Sequence, residues 1–282
     1  MTPDGRVLGP SPAVLVAAWM RRLTLEAFSY RGHLALEAVG GLVTLAGLSY
    51  LSRMVGGAGA AAVGPSGYFA FACVGLAAYL PARAAQAELA RLTREMQLVG
   101  QLEPLAATPA RLPAQLLAAA VHPSLAALGR TGLTLLSGAA LFGLPLRLAG
   151  VPLLLLGLVL AAAASAGLGL ASAAVVLHVR RSDPVAYLLD SAAWLGSGLV
   201  FPAALLPGWA RGLAQWLPAT HALRLARAAL LPGPASPPVG AQQPGAELLA
   251  LTGLAAAALA VGVSALALAV RAARRSGALG IP

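Results

Sequence analysis

Apolar residues in this chain come in long unbroken blocks. The blocks cover about 33–54, 68–84, 124–144, 151–177, 185–202 and 246–270. Roughly 20 apolar residues in a helix cross a hydrocarbon core, with a working range near 17–25, so each block reads as a membrane span. Lipid offers no partner to an open sheet edge, and the residue-by-residue alternation of a barrel strand is missing. The predicted fold class is an all-α integral membrane protein with six transmembrane helices.

The joints between blocks add detail. Ser11 followed by Pro12 offers an N-cap and a proline at the first helical position. Over about 12–30, Val16, Trp19, Met20, Leu23, Ala27 and Tyr30 share a stripe beside Arg22, Glu26 and Ser29, while Leu25 and Phe28 fall off it. This predicts an N-terminal interfacial helix before the first span, the other reading being an extension of that span. Residues 1–10 lack the apolar core of a signal peptide, so no cleavage is expected. Gly56 to Gly59 and Pro65 to Gly67 make a short turn into the second span.

The longest charged segment follows, from Arg83 to Arg111. Glu88 with Arg91, and Arg91 with Glu95, have the spacing of ion pairs on a helix surface. A solvated helical segment at about 88–109 is expected there. Beyond Thr108-Pro109 the chain re-enters the membrane over 113–121, is expected to break at His122-Pro123, and makes the third span. Arg130, about two turns into that span, either snorkels to headgroups or lines a passage. In the fourth span Ala161, Ser165, Gly169 and Ala173 recur every four residues, the spacing that lets helices approach closely. Asp190, early in the fifth span, either caps or pairs with an arginine of the preceding loop or faces a cavity.

Between the fifth and sixth spans the pattern changes. Pro202, Pro207 and Pro218 fall within seventeen residues, and each removes a backbone donor and bends or ends a helix. The element at about 203–231 therefore predicts short re-entrant external helices hinged at Phe201-Pro202, Leu206-Pro207-Gly208 and Leu217-Pro218. Trp209 and Trp216, seven residues apart, have the spacing of one helical face and suit a lipid–water boundary. Pro232 to Gly245 reads as an exposed loop.

Composition narrows the chemistry. Hydrophobic residues make up 59% of the 282 and charged residues only 10%, against about 25% charged in soluble domains. All nineteen basic residues are arginine. Without lysine these residues hold no Walker A loop and no Schiff-base site. The single cysteine, Cys73, lies in an apolar run and reads as a small core residue. The net charge of +10 could suggest nucleic acid. The positive-inside rule explains it better, and no nucleic-acid partner is expected. Thirteen arginines then fall on the side holding both termini and five (53, 147, 211, 224, 227) on the other. Both termini are predicted to be cytoplasmic.

Two stretches carry a family resemblance. Phe201-Pro202, Pro207-Gly208-Trp209, and Leu217-Pro218-Ala219-Thr220-His221-Ala222-Leu223 with Arg227 resemble the C-terminal motif of the ABC transporter type-2 permease family, with His221 in place of the usual tyrosine and Arg224 where an acidic residue is common. Arg94-Glu95, Gly100-Gln101-Leu102-Glu103-Pro104-Leu105 and Ala107-Thr108-Pro109 are similar to its coupling region, Gln101 departing from threonine. The resemblance implies the transmembrane subunit of a drug-resistance-like ABC exporter in the bacterial cytoplasmic membrane. It implies a second transmembrane subunit, identical or not, and cytoplasmic ABC ATPase subunits that hold ATP-Mg, with no cofactor in this chain. It places a coupling helix between spans two and three, with Arg94, Glu95, Gly100, Leu102 and Glu103 as ATPase contacts. It makes Phe201, Pro202, Pro207, Trp209, Pro218, His221 and Arg227 an external hinge or gate.

Other classes fit less well. An intramembrane enzyme needs a nucleophile and base, or clustered carboxylates or histidines at one depth, whereas His33, His122, His178 and His221 belong to four different loops or breaks. An ion-coupled secondary transporter is the alternative; it favours ionisable groups and broken helices near the midplane.

Overall fold

The computed structural model describes residues 11–29, 31–55, 66–101, 104–105, 112–179, 184–232 and 243–275. Its helices are α1 (Pro12–Ser29), α2 (Arg31–Met54), α3 (Gly67–Leu98), α4 (Leu112–Phe142), α5 (Val151–Val179), α6 (Pro184–Gly196), α7 (Gly208–Ala214), α8 (Pro218–Leu230) and α9 (Pro244–Arg275). No strand occurs among the described residues.

Five of the described helical segments are long and apolar enough to cross a membrane, not six: Ala35–Met54, Gly67–Leu98, Leu112–Phe142, Leu148–Leu177 and Pro244–Arg275. The expected fifth span is α6, whose 13 residues rise only about 20 Å, short of a core about 30 Å thick. It ends at Gly196, five residues before Phe201, and Gly198 turns the chain with a φ of +80°. Glycine takes that left-handed backbone without steric cost.

The two helices on either side of residues 99–111 are single long rods. α3 runs 32 residues, about 48 Å, and so carries both the second apolar block and the charged stretch to Leu98. Pro81 inside it has no N–H for the carbonyl of Ala77. Thr131 of α4 supplies the missing donor: its hydroxyl donates to that carbonyl at 2.7 Å. α4 continues unbroken through His122-Pro123, where a break was expected. Its buried residues Leu116, Ala119, Ala120 and Ala127 lie on both sides of the proline, and this packing outweighs a local cost of about 3 kcal/mol.

At the centre lies α5, packed on α3, α8 and α9. Ala161, Ser165, Gly169 and Ala173 are all buried. A Cβ on Gly169 would sit 2.9 Å from the Gln86 carbonyl oxygen of α3. The tightest crossing is with α9, where a Cβ on Gly167 would lie 2.3 Å from the Ala258 carbonyl carbon and one on Gly262 2.1 Å from the Gly167 oxygen. These two glycines let backbone touch backbone, as small residues do between membrane helices.

Two apolar clusters hold the bundle. Trp19 and Leu23 fasten α1 to Leu89, Leu92, Met96, Leu112 and Leu116, near the Leu98 end of α3. Leu45 joins Cys73, Val74, Ala77, Leu135, Leu154, Leu158 and Leu230 nearer the Gly67 end. By contrast α2 is peripheral, with Leu36, Val39, Val43, Tyr50 and Met54 exposed.

Candidate functional site

Three polar clusters stand out from this apolar frame. The first is the tail of α3. The Arg91 guanidinium donates to Glu88 through Nε at 2.9 Å and a second nitrogen at 2.5 Å, and also to Glu95 on the next turn. These are the pairs that the spacing predicts. Arg94 turns along the helix to Gln97 at 3.4 Å, and Gln97 donates to the carbonyl of Val176 at 3.3 Å, near the end of α5. That carbonyl belongs to the last turn of α5, where the helix supplies no partner of its own.

Gly100 closes α3. Its φ is +69°, its N–H donates to the Gln97 carbonyl at 3.2 Å, and the N–H of Gln101 donates to that of Met96 at 2.9 Å. This is the Schellman pattern, in which a left-handed glycine satisfies the last carbonyls of a helix. Gly100 thus ends the rod. Beyond it, the carbonyl of Leu105 accepts from Gln115 of α4 at 3.3 Å. Leu102 and Glu103 lie outside the described residues, as do Ala107-Thr108-Pro109. Glu95 is exposed and Arg94 half-buried.

The second cluster is the broken element after α6. Pro202 is buried, Phe201 half-buried and Pro207 exposed, and a short 3₁₀ turn at Ala203–Leu205 leads to α7. Arg211 donates to the Leu206 carbonyl at 3.1 Å, holding the bend before α7. Trp209 and Trp216 are both exposed, but Trp216 falls beyond the end of α7, so the pair does not share a helix. Pro218 is the first residue of α8, where its missing N–H costs nothing.

α8 is the opposite of exposed. Arg227, 3% exposed, reaches across to the bend at the end of α6. One nitrogen donates to the carbonyls of Gly198 at 2.8 Å and Leu199 at 3.0 Å, and Nε donates to the carbonyl of Phe71 at 3.1 Å. The guanidinium carbon also lies 3.5 Å from the centroid of the Phe71 ring. A helix interrupted inside a membrane leaves backbone oxygens without donors. Here one buried side chain supplies them. Gly75 makes the space, since a Cβ there would stand 2.4 Å from the Arg227 nitrogen.

Six residues earlier on α8, His221 is 5% exposed and Glu247 of α9 3%. His221 Nδ1 faces a Glu247 oxygen at 2.5 Å and Nε2 faces the carbonyl of Gln215 at 2.8 Å. A carbonyl only accepts, so Nε2 is the nitrogen that donates to Gln215, and Nδ1 is left to the carboxylate. Arg224 approaches the other Glu247 oxygen at 3.4 Å. The residue at the tyrosine position thus ties α8 to α9.

Ion pairs between helices form the third cluster. Asp190 of α6 accepts from the Tyr79 hydroxyl at 2.6 Å and pairs with Arg83 Nε at 3.2 Å, both on α3. Its arginine therefore comes from α3. Arg130 of α4 pairs with Glu37 of α2 at 2.8 Å.

Sequence reasoning passed over Glu247, Phe71, Gly75 and Glu37 as site residues. A usable signal existed for one of them: Glu37 and Arg130 are opposite charges in separate spans. Phe71 contributes a backbone oxygen and Gly75 an absent side chain, which leave no trace in a single sequence.

No curated protein matches the chain. Residues 98–231 match the model of the family described as ABC-2 type transporter. That stretch opens at the turn closing α3, takes in the hairpin of α4 and α5, and ends where α8 ends. Residues 98–231 are thus similar to the membrane domain of ABC-2 type transporters, a permease component and not a catalytic one.

Proposed function

We propose that this chain is the transmembrane permease subunit of an ATP-driven ABC exporter, powered by separate cytoplasmic ATPase subunits. It pairs with a second transmembrane subunit in a bacterial cytoplasmic membrane, with both termini inside. Its cargo is hydrophobic or amphipathic, drug-like, lipid or glycan, because the spans offer mainly Ala, Leu and Gly.

One observation carries the reading. α3 outruns the membrane as a charged rod, and the family match opens at the turn that stops it, where Gly100 and Gln101 lock the geometry. A rigid rod with a fixed end can transmit a push from an ATPase docked at about 88–109 into α3 and, through Gln115, into α4. Arg94, Glu95, Gly100, Leu102 and Glu103 form that contact. Phe201, Pro202, Pro207, Trp209 and Pro218 form the external hinge, which His221 and Arg227 anchor to the bundle.

The test is purification from native membranes. A cytoplasmic ATPase should co-purify, and Glu103→Ala should abolish transport coupled to ATP hydrolysis while the chain stays folded. Uptake driven by an ion gradient, with this chain alone in vesicles, would replace the proposal by the ion-coupled alternative.

A further inference from the structure

The two apolar clusters of the bundle do not meet everywhere. α4 and α5 each lean on α3 but scarcely on each other, and between them lies a groove of about 350 Å³. Its walls draw on both clusters: Leu117, Ala120 and Ala166 go with the one around Trp19, Leu128 and Leu158 with the one around Leu45. Pro81 of α3 and Leu259 of α9 complete the lining. On α4 the wall residues step by three and four from Leu117 to Leu128, a stripe of about 16 Å.

The groove is dry. Among the described residues that line it, Ser124 is the only polar one, and its hydroxyl donates to the Ala120 carbonyl of its own helix at 2.7 Å. A buried water needs about two to four polar partners, and an apolar cavity of about 150 Å³ already stays dry and takes benzene. The groove also lies in hydrocarbon. Between Arg147 and Arg180 the sequence carries no charge, and any stretch of about 20 residues in that run, the length that crosses the core, includes Ala162, Ala163 and Ala166 of the α5 wall. Leu125 and Val159, half exposed, flank the opening.

Whatever fills this space is therefore hydrocarbon. Spread along the stripe, its volume leaves a section narrower than a helix, which is about 10–12 Å across with its side chains. No span of a second subunit enters. Left empty, the lining atoms would forfeit their dispersion contacts. An unbranched chain restores them, and it asks for no polar partner along its length.

We propose that the α4–α5 groove binds one acyl chain of a bilayer phospholipid, which enters sideways past Leu125 and Val159 and joins the two clusters where protein does not. The proposal goes beyond the permease reading and stands without it, since it requires only the spans.

The experiment reads lipid residence. In nanodiscs holding the full chain with its assembled partners, phosphatidylglycerol with a diazirine along one acyl chain is photolysed before and after exchange into unlabelled lipid. Adducts are mapped by fragmentation of the tryptic peptides 112–130 and 148–180, with 32–53 of the peripheral α2 as the measure of loosely held lipid. Adducts at Leu125, Val159 and Ala163 should outlast those on α2 by about tenfold, the mark of a slower off-rate. Ala163→Phe, which fills the groove, should cut the retained adducts by about tenfold, the scale on which an apolar pocket discriminates added carbon, and leave those on α2 unchanged. Should that variant fail to accumulate, the smaller Ala163→Val must still cut them, by less. Adducts that exchange as fast as those on α2, or that neither substitution reduces, overturn the proposal while leaving the ATPase assignment intact. Two further results would also overturn it. A disulfide between two copies carrying Val159→Cys and Cys73→Ala would give the opening to a second subunit, and release of the chain in step with ATP turnover would make it cargo.

Discussion

Arg227 and Arg91 do the same chemistry in two different solvents. Arg91, on the tail of α3, holds two carboxylates with its side chain half exposed. Arg227, in α8, holds three backbone oxygens and a ring face with almost none of it exposed. Water can take over every contact of the first arginine. Nothing else nearby can take over those of the second. A surface ion pair contributes about 0–1 kcal/mol, whereas each buried polar group left without a partner costs about 1–3 kcal/mol. The comparison separates a polar cluster that holds the fold from one free to serve a partner.

The sharpest way to break that comparison is Arg227→Leu. It leaves the carbonyls of the bend after α6 without donors and should cost on the order of 3–5 kcal/mol. In detergent the melting temperature should drop by roughly 10 °C at the scale of a domain this size. A drop of only a degree or two would mean that water reaches the bend. Next in size is Gly75→Ala, whose Cβ collides with the same guanidinium. Overpacking of this kind costs about 1–3 kcal/mol, and the double change with Arg227→Leu should be less than additive, because both act on one contact. Smallest is Arg91→Ala, expected to cost under about 1 kcal/mol. Thermal melting should barely move, while ATPase co-purification weakens. If melting fell as far as for Arg227→Leu, the tail of α3 would be a structural element and not a docking surface.

These contrasts also mark what could be read without coordinates. The pairing of Arg91 with Glu88 and Glu95 was legible, because three- and four-residue spacing on a helix fixes neighbours locally. The close-packing stripe of α5 was legible for the same reason, while its tightest crossing was not. Gly167 meets Gly262 ninety-five residues away, and many glycines in an Ala-rich chain would have looked equally suitable. Arg130 shows the limit from the other side. Its position inside a span raised snorkelling as one reading, yet its partner Glu37 comes from another helix, and only their approach reveals the pairing.

By itself the sequence determined that the chain is helical, that it lives in a membrane, and that its tail after the second block and its broken stretch near Pro202 to Pro218 are special. Block length, charge and proline act through local backbone physics, so they need no partner to take effect. Tertiary structure decided the rest. It showed that α4 runs straight through Pro123, that α6 is too short to span alone, and that Arg227 and Thr131 donate to carbonyls which a proline or a bend had stripped. Those outcomes depend on atoms brought together from distant positions, where packing free energy exceeds the local preference of any single residue.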